Sequence, residues 1–438
     1  MSGKGGAIPF PGKRFFIGPL VCDAGAASFS GVPLASLIVD FNSYFASVEQ
    51  QEQPALRGRP VAVVPMMADS TCAIAASYEA KRFGVKTGTL VREAKRMCRD
   101  LILIEARHEL YIRYHHALIA AVDSAMHVEK VLSIDEMLCP LTGRWRERDE
   151  AIALAHRIKR AIATRVGEFL RCSIGIAPSP FLAKTASDMQ KPDGLVVIEK
   201  SDLPHILHGL KLRDLCGIGA AMEERLHAAR IETVEQLCAA PKLVLHGAWG
   251  GVQGERFYEE LRGNMVPRLE TSHRSVGHSH VLAPVERTHA TALAVIHRLL
   301  QKAAMRLRLM GCLAGALSVS VKFLNRRRWS DDLAFTETDD TLDFTHAMQA
   351  LWNRRPSTDD ALLAVGVTLF HLIERNQSTP SLFPEAKDRG RLNRAVDALN
   401  QRFGKRSAYF AGAHGALKSA PMRIAFTHVP DLETESDE

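Results

Sequence analysis

The stretch Ser133-Ile134-Asp135-Glu136 constrains this chain most. It lies between Val128–Leu132 and Met137–Leu141, two apolar runs short enough to be buried strands. Adjacent carboxylates with flanks this apolar are costly, because a buried charge needs a cation or a set of donors. A hairpin turn would also accept both acids, and either acid taken alone reads that way. Upstream, Leu34-Ala35-Ser36-Leu37-Ile38-Val39-Asp40 is a second apolar run ending on an acid. Two strand-borne acids and a neighbour form a hard-oxygen set suited to magnesium.

At 438 residues the chain has room for two to four domains of ordinary size. A net charge of +7 and a pI near 9.0 favour a polyanionic partner. The eight cysteines form no C-x-x-C pair, which argues against a zinc site or disulfide framework and for a reducing cytoplasm. No apolar run reaches membrane-spanning length. Residues 1–33 read as a flexible basic leader whose short apolar part, broken by Gly18 and Pro19, lacks a cleavage site.

Taken in order, strands are expected at 34–40, 60–65, 72–76, 101–105 and 172–177, with a hairpin over 128–141. Helices are expected from Phe41 to Gln53, with Asn42 or Ser43 as cap, and over 78–83, 92–98, 108–127 and 146–169. That order implies an α+β layer with helices over the sheet. Residues 202–265 turn helical, with Leu215-Cys216-Gly217-Ile218-Gly219 between helices. Gly217 and Gly219 would let backbone N–H groups approach phosphates, whereas an ordinary helical corner would need no such role. After a linker at 264–272, residues 275–375 suggest a second α/β module with helices near 288–310 and 344–353. Within it, Arg326-Arg327-Arg328-Trp329 is either a nucleic-acid contact or a solvated hairpin tip. A Pro- and Ser-rich loop, a helix over 391–403 and an acidic end at 431–438 complete the chain.

Several segments together resemble the Y-family of DNA polymerases, the translesion enzymes of the DinB and UmuC type. Asp40-Phe41-Asn42-Ser43-Tyr44-Phe45 is similar to the family's first metal motif, and Ser133-Ile134-Asp135-Glu136 to its second. Tyr78-Glu79-Ala80-Lys81-Arg82-Phe83-Gly84-Val85 resembles the fingers motif. Gly175-Ile176-Ala177, Leu182-Ala183-Lys184 and Asp188-Met189-Gln190-Lys191-Pro192-Asp193-Gly194 resemble the end of the palm. Leu392-Asn393-Arg394-Ala395-Val396-Asp397, Phe403-Gly404-Lys405-Arg406 and Tyr409-Phe410-Ala411-Gly412 are similar to the extra C-terminal segment of UmuC-type members.

The resemblance implies a right-hand polymerase. Its ferredoxin-like palm would span 34–43 and 108–200, its fingers 44–107 and its helix-hairpin-helix thumb 201–266. A little finger would span 273–376, with a clamp-binding loop and tail over 377–438. It implies two magnesium ions held by Asp40, Asp135, Glu136 and the Phe41 carbonyl. Tyr78, Lys81 or Arg82, and Lys191 would meet the dNTP triphosphate, and Phe45 would exclude a ribose 2′-OH, unless its ring merely packs in the core. Expected partners are primer–template DNA, a sliding clamp docked by Leu382 and Phe383, and mutasome accessory proteins. SOS damage tolerance is the expected setting. Where the family has Thr, Ala75 stands, and Lys81 replaces an arginine, so a point charge replaces a bidentate fork. The competing readings are a catalytically inert accessory scaffold of the same family, which would lack the acids, and a nucleotide cyclase, which would lack the thumb and the basic C-terminal module.

Overall fold

The computed structural model describes residues 33–267, 274–356, 360–378, 389–404, 407–421, 424 and 429–430. The chain enters on β1 (Ser36–Phe41) and α1 (Tyr44–Glu52). A small unit follows: β2 (Val61–Val64), β3 (Ala75–Ala76), α2 (Tyr78–Lys81), α3 (Val91–Met97) and β4 (Ile102–Glu105). Then come α4 (His108–Asp123), the hairpin β5 (Lys130–Ser133) and β6 (Glu136–Pro140), α5 (Arg148–Arg165), β7 (Cys172–Ala177), α6 (Pro180–Met189) and β8 (Leu195–Val197). The first sheet has the order β5-β6-β1-β7-β8, antiparallel except for β7 and β8. With the β2–β4 unit inserted between β1 and α4, its strand–helix–hairpin–helix–strand order is ferredoxin-like.

Every residue of β1 and β7 is buried, because both faces of this sheet are covered. Leu37, Val39 and Phe41 join a core with α4 and α5 side chains, whereas Ile38 joins a second core with Leu182 and Ala186 of α6. Period-two alternation therefore puts Asp40 on the α6 face beside Ile38. The close approach of α6 depends on Gly175. A Cβ there would stand 1.9 Å from the Ala183 carbonyl oxygen and 2.4 Å from the Ser187 nitrogen.

Four short helices follow: α7 (Ala220–Ala228), α8 (Val234–Ala239), α9 (Lys242–Trp249) and α10 (Val252–Glu260). The last module contains β9 (Ser275–Val281), α11 (His289–Leu309), β10 (Cys312–Phe323), β11 (Arg328–Thr338), α12 (Thr341–Arg354) and β12 (Leu362–Glu374), in an antiparallel sheet ordered β11-β10-β12-β9. Helix α13 (Gly390–Phe403) lies against α11 and the start of α12, Asp397 pairing with Arg308 and Asn393 with Asp340. Residues 407–421 run back over α11: Gln301 exchanges two hydrogen bonds with the Phe410 backbone, and the Arg298 and Lys302 side chains donate to the Ser419 and Ala420 carbonyls. Ile424 and Val429 then pack against the first core.

Several boundaries differ from the sequence expectation. Helix α1 starts at Tyr44 because Phe41 ends β1 and Asn42 sits in the turn after it, their N–H groups donating to the Asp135 and Arg171 carbonyls. Ser43 occupies the cap position with φ +50 and makes no side-chain cap bond. The expected strand over 72–76 shrinks to Ala75–Ala76, with Cys72 only bridging Leu90. Before the Gly217 loop stands a single turn, Leu212–Asp214, rather than a full helix. Only Gly217 there needs glycine's freedom, at φ +90. The seven described cysteines are free, and among the described residues no helix is long and apolar enough to cross a membrane.

Candidate active site

Strand register makes the site. Asp40 of β1 pairs directly with Glu136 of β6, and Ile134-Asp135 forms the two-residue hairpin turn. Both readings of the acidic pair are thus partly met, since Asp135 is a turn residue and is also held against β1. The Phe41 N–H donates to the Asp135 carbonyl oxygen at 2.8 Å. From behind, His115 of α4 places Nδ1 2.8 Å from the Ile134 carbonyl oxygen, so this nitrogen carries the proton and donates. Burial pushes the His115 pKa down to about 4, with the Ile134 carbonyl pulling weakly the other way. The imidazole is therefore a neutral prop for the turn at physiological pH.

Burial also pushes the Asp135 carboxyl up to about 6. The Ser133 hydroxyl, donating at 2.6 Å, opposes that shift, and the charges of Asp40 and Glu136 reinforce it. Two lysines answer this density of acid. Lys184 of α6 pairs with Asp40, with Glu136 at 2.9 Å and with Asp188 at 3.1 Å. Lys191 pairs with Asp40 at 2.8 Å and Asp188 at 2.7 Å. Burial disfavours the Lys184 charge, but its three carboxylate neighbours outweigh that and raise its pKa. The loop bearing Lys191 is latched by Asn42, whose Oδ1 accepts from the Asp193 N–H at 2.7 Å, and by Ser173, which bonds the Gln190 carbonyl and Gly194 N–H.

Around this cluster lie Tyr78 and Lys81. The Lys81 ammonium sits 4.3 Å from the centre of the Tyr78 ring. Burial, then the Lys191 charge, lowers the Lys81 pKa, while burial raises that of Tyr78, whose neighbours include Lys191, Asp40 and Ser43. Arg82 is exposed at the end of α2. Phe45 is half-buried, stacked on Tyr111 at 4.6 Å and packed against the first core, so its ring has a structural role whatever else it meets. Gly217 and Gly219 line a hollow shared with Lys184 and Asp188. Arg326 and Arg327 lie in the β10–β11 turn and Arg328 begins β11. All three are exposed and Arg327 is 3.3 Å from Asp360, a position that both the nucleic-acid reading and the solvated-tip reading describe. Leu382 and Phe383 lie outside the described residues.

The sequence reading missed Lys184, Asp188, His115 and Glu49 as organising residues. Glu49 is fully buried, yet its carboxylate is satisfied by Arg107 and by the Tyr111 hydroxyl at 2.7 Å. It is a structural acid. Asp40, Asp135 and Glu136 instead lie near one another, with the Lys184 and Lys191 ammonium groups as counter-charges. Among the described residues no three His, Cys, Asp or Glu side chains close into a finished ligand cage. The donor set nonetheless fits hard divalent cations: three neighbouring carboxylates, one kept protonation-prone chiefly by burial, around a position that already attracts the Lys184 ammonium.

Comparison with known proteins identifies the family. The model of the impB/mucB/samB family matches residues 39–188, and that of the family's C-terminal domain matches residues 273–382. DNA polymerase IV of Moorella thermoacetica is 34% identical over 381 residues, covering 84% of this chain and 94% of that relative. DNA polymerase IV of Pelotomaculum thermopropionicum is 32% identical, covering 85% and 93%. DNA polymerase IV 2 of Mesorhizobium japonicum is 30% identical over 413 residues, covering 88% and 96%. Among solved structures, a Y-family DNA polymerase chimera of Dbh and Dpo4 has the same fold, with a TM-score of 0.66 at 22% identity over 78% of this chain and 99% of that one. The chain belongs to the impB/mucB/samB family, the Y-family of DNA polymerases.

Proposed function

We propose that the protein is an error-prone translesion polymerase, adding dNTPs to a primer 3′ end opposite damaged template in SOS-type damage tolerance. The observation that carries this reading is the register that sets Asp40 opposite Glu136 with Asp135 in the adjoining turn. Asp40, Asp135, Glu136 and the Phe41 carbonyl would hold two magnesium ions, which supply Lewis-acid activation of the primer hydroxyl and neutralise charge on the leaving pyrophosphate.

The remaining work falls to this chain's own side chains. Lys191, Lys81 and the Tyr78 hydroxyl meet the triphosphate, with Arg82 at the edge of the same motif. Lys184 and Asp188 keep the acids and Lys191 in register. The Phe45 ring, fixed on Tyr111, borders the sugar and excludes a 2′-hydroxyl. The palm would span 34–43 and 108–200, the fingers 44–107, the thumb 201–266 and the little finger 273–376. Gly217 and Gly219 approach primer phosphates, and Arg326, Arg327 and Arg328 approach template phosphates. Leu382 and Phe383 would dock the sliding clamp, and mutasome accessory proteins would be further partners. Primer extension by the purified full chain with magnesium and four dNTPs tests the reading. Template-directed extension is expected, and a well-folded protein with no extension would return the chain to an accessory scaffold.

A further inference from the structure

Helix α13 is built inside out. Its polar residues Asn393 and Asn400 face inward and are buried, Asn393 bonding Asp340 and Asn400 bonding the Ala408 backbone. Its one acid, Asp397, is consumed by a bidentate pair with Arg308 at 2.6 and 2.8 Å. What it shows to solvent is apolar and basic. Leu392, Leu399 and Phe403 are 47%, 45% and 62% exposed. At about 100° per residue these three fall on one stripe, Arg391 and Arg402 lie about 90° round the helix on the stripe beside it, and Arg394 lies further round on the same basic side. None of these three arginines has an ion pair among the described residues, and the Arg402 guanidinium lies 5.1 Å from the centre of the Phe403 ring. Over residues 389–421 the sequence carries seven Lys or Arg and one acid, a net +6 against +7 for the whole chain.

We propose that this face binds a single DNA strand, an interaction outside the catalytic cleft. Parallel arginine and apolar stripes suit an unpaired strand, whose phosphates run along one edge and whose flat base faces lie along the other. The surface spans about 17 Å of helix, enough for a few nucleotides. A second copy of this chain offers the same positive charge and is excluded on complementarity. A duplex offers phosphates but keeps its base faces stacked. The placement on the little finger, behind an anchor as firm as Arg308–Asp397, makes α13 a rigid extension of that module. The inference rests on the reading that the chain works on DNA, but it concerns a site that touches no catalytic residue.

The test is fluorescence anisotropy of a labelled 30-nucleotide single strand with the full chain across a salt series. It uses wild type, Arg391→Ala/Arg394→Ala/Arg402→Ala, and Leu399→Ser/Phe403→Ala. All substituted side chains are solvent-exposed, and thermal unfolding is run in parallel to verify the fold. The arginine variant is expected to bind at least tenfold more weakly, with the log K against log salt slope flattened by about two units for three lost contacts. The apolar variant should lose several-fold affinity at unchanged slope. Basal extension of a short primer should be the same in all three proteins, so a polymerase that fails to extend while these binding differences persist sinks the catalytic reading and leaves this one. Wild-type affinity and slope in both variants, or a duplex competitor as effective as the single strand, overturns the proposal and leaves the face to a protein partner.

Discussion

The palm and the little finger share one element order, strand–helix–strand–strand–helix–strand, yet close it differently. The palm sheet runs β5-β6-β1-β7 and the little-finger sheet β11-β10-β12-β9. Palm strands β1 and β7 are buried at every residue, while β11 alternates half-buried and exposed positions along most of its length. Covering both faces leaves no harmless place for a charge. An acid in such a sheet is either neutralised by fixed partners, as Glu49 is in the adjoining helix, or is kept at a cost for chemistry. An open face imposes no such demand, so the residues on it reveal less about their use.

The first way to break this comparison is with a single methyl group. Gly175→Ala drives a Cβ into the α6 backbone and should cost at least about 3 kcal/mol, the scale of overpacking that only backbone movement relieves. Gly315→Ala in β10 meets only side-chain and carbonyl atoms at 3.5 Å or more and should change stability by less than about 0.5 kcal/mol. Denaturant unfolding of both variants decides. Equal costs would mean the two sheets are packed alike.

Next in size is the buried charge of Asp135 in the palm, to which its acidic neighbours add. The folded protein holds the Asp135 proton more tightly than the unfolded chain does, so ionised Asp135 opposes folding above about pH 6, and that penalty fades as pH falls toward 4. Asp135→Asn, without divalent cations, should therefore stabilise by up to about 3 kcal/mol at pH 7 and by almost nothing at pH 4. His115 has the opposite sign. Its depressed pKa costs stability as pH falls from 6.5 toward about 4, in both proteins. A pH-independent gain would remove the buried charge of Asp135 as the cause.

Phe45→Ala sharpens the boundary between packing and function. Losing its stack on Tyr111 should cost stability, and sugar discrimination should also fall tenfold or more, measured as dCTP against CTP incorporation. Stability loss with unchanged discrimination would leave Phe45 a packing residue. The smallest effect is expected on the open sheet. Neutralising Arg326, Arg327 and Arg328 should flatten the salt dependence of duplex binding by up to about one unit per lost contact, and less for Arg327, which already has Asp360. An unchanged slope would make the cluster a solvated turn.

Much of the palm was legible because strands bounded by acids and glycines leave few alternatives. Cys172–Ala177 was read to the residue. Helix ends were read too long, since Phe41 and Asn42 are claimed by sheet partners that lie about a hundred residues away in sequence. Asp40, Asp135 and Glu136 could be found because their flanks are apolar. His115 and Glu49 could not, because a single polar residue in an amphipathic helix has no pattern until its partner is known. Lys184 lay in a quoted motif. Its i, i+4 spacing with Asp188 suggested an ordinary helix-surface pair, and only the approach of α6 at Gly175 brings it over Asp40. The inverted face of α13 was hidden by the expectation that a helix buries its apolar side.

The central claim is that the acids at the β1–β6 crossing perform nucleotidyl transfer rather than stabilise the fold. Primer extension by Asp135→Ala alongside wild type, with magnesium and saturating dNTPs, addresses it most directly. The account predicts loss of at least a thousandfold in rate, a fall of about 4 kcal/mol in transition-state stabilisation, with thermal stability equal to or above that of wild type. Near-normal extension by a folded Asp135→Ala protein would contradict it.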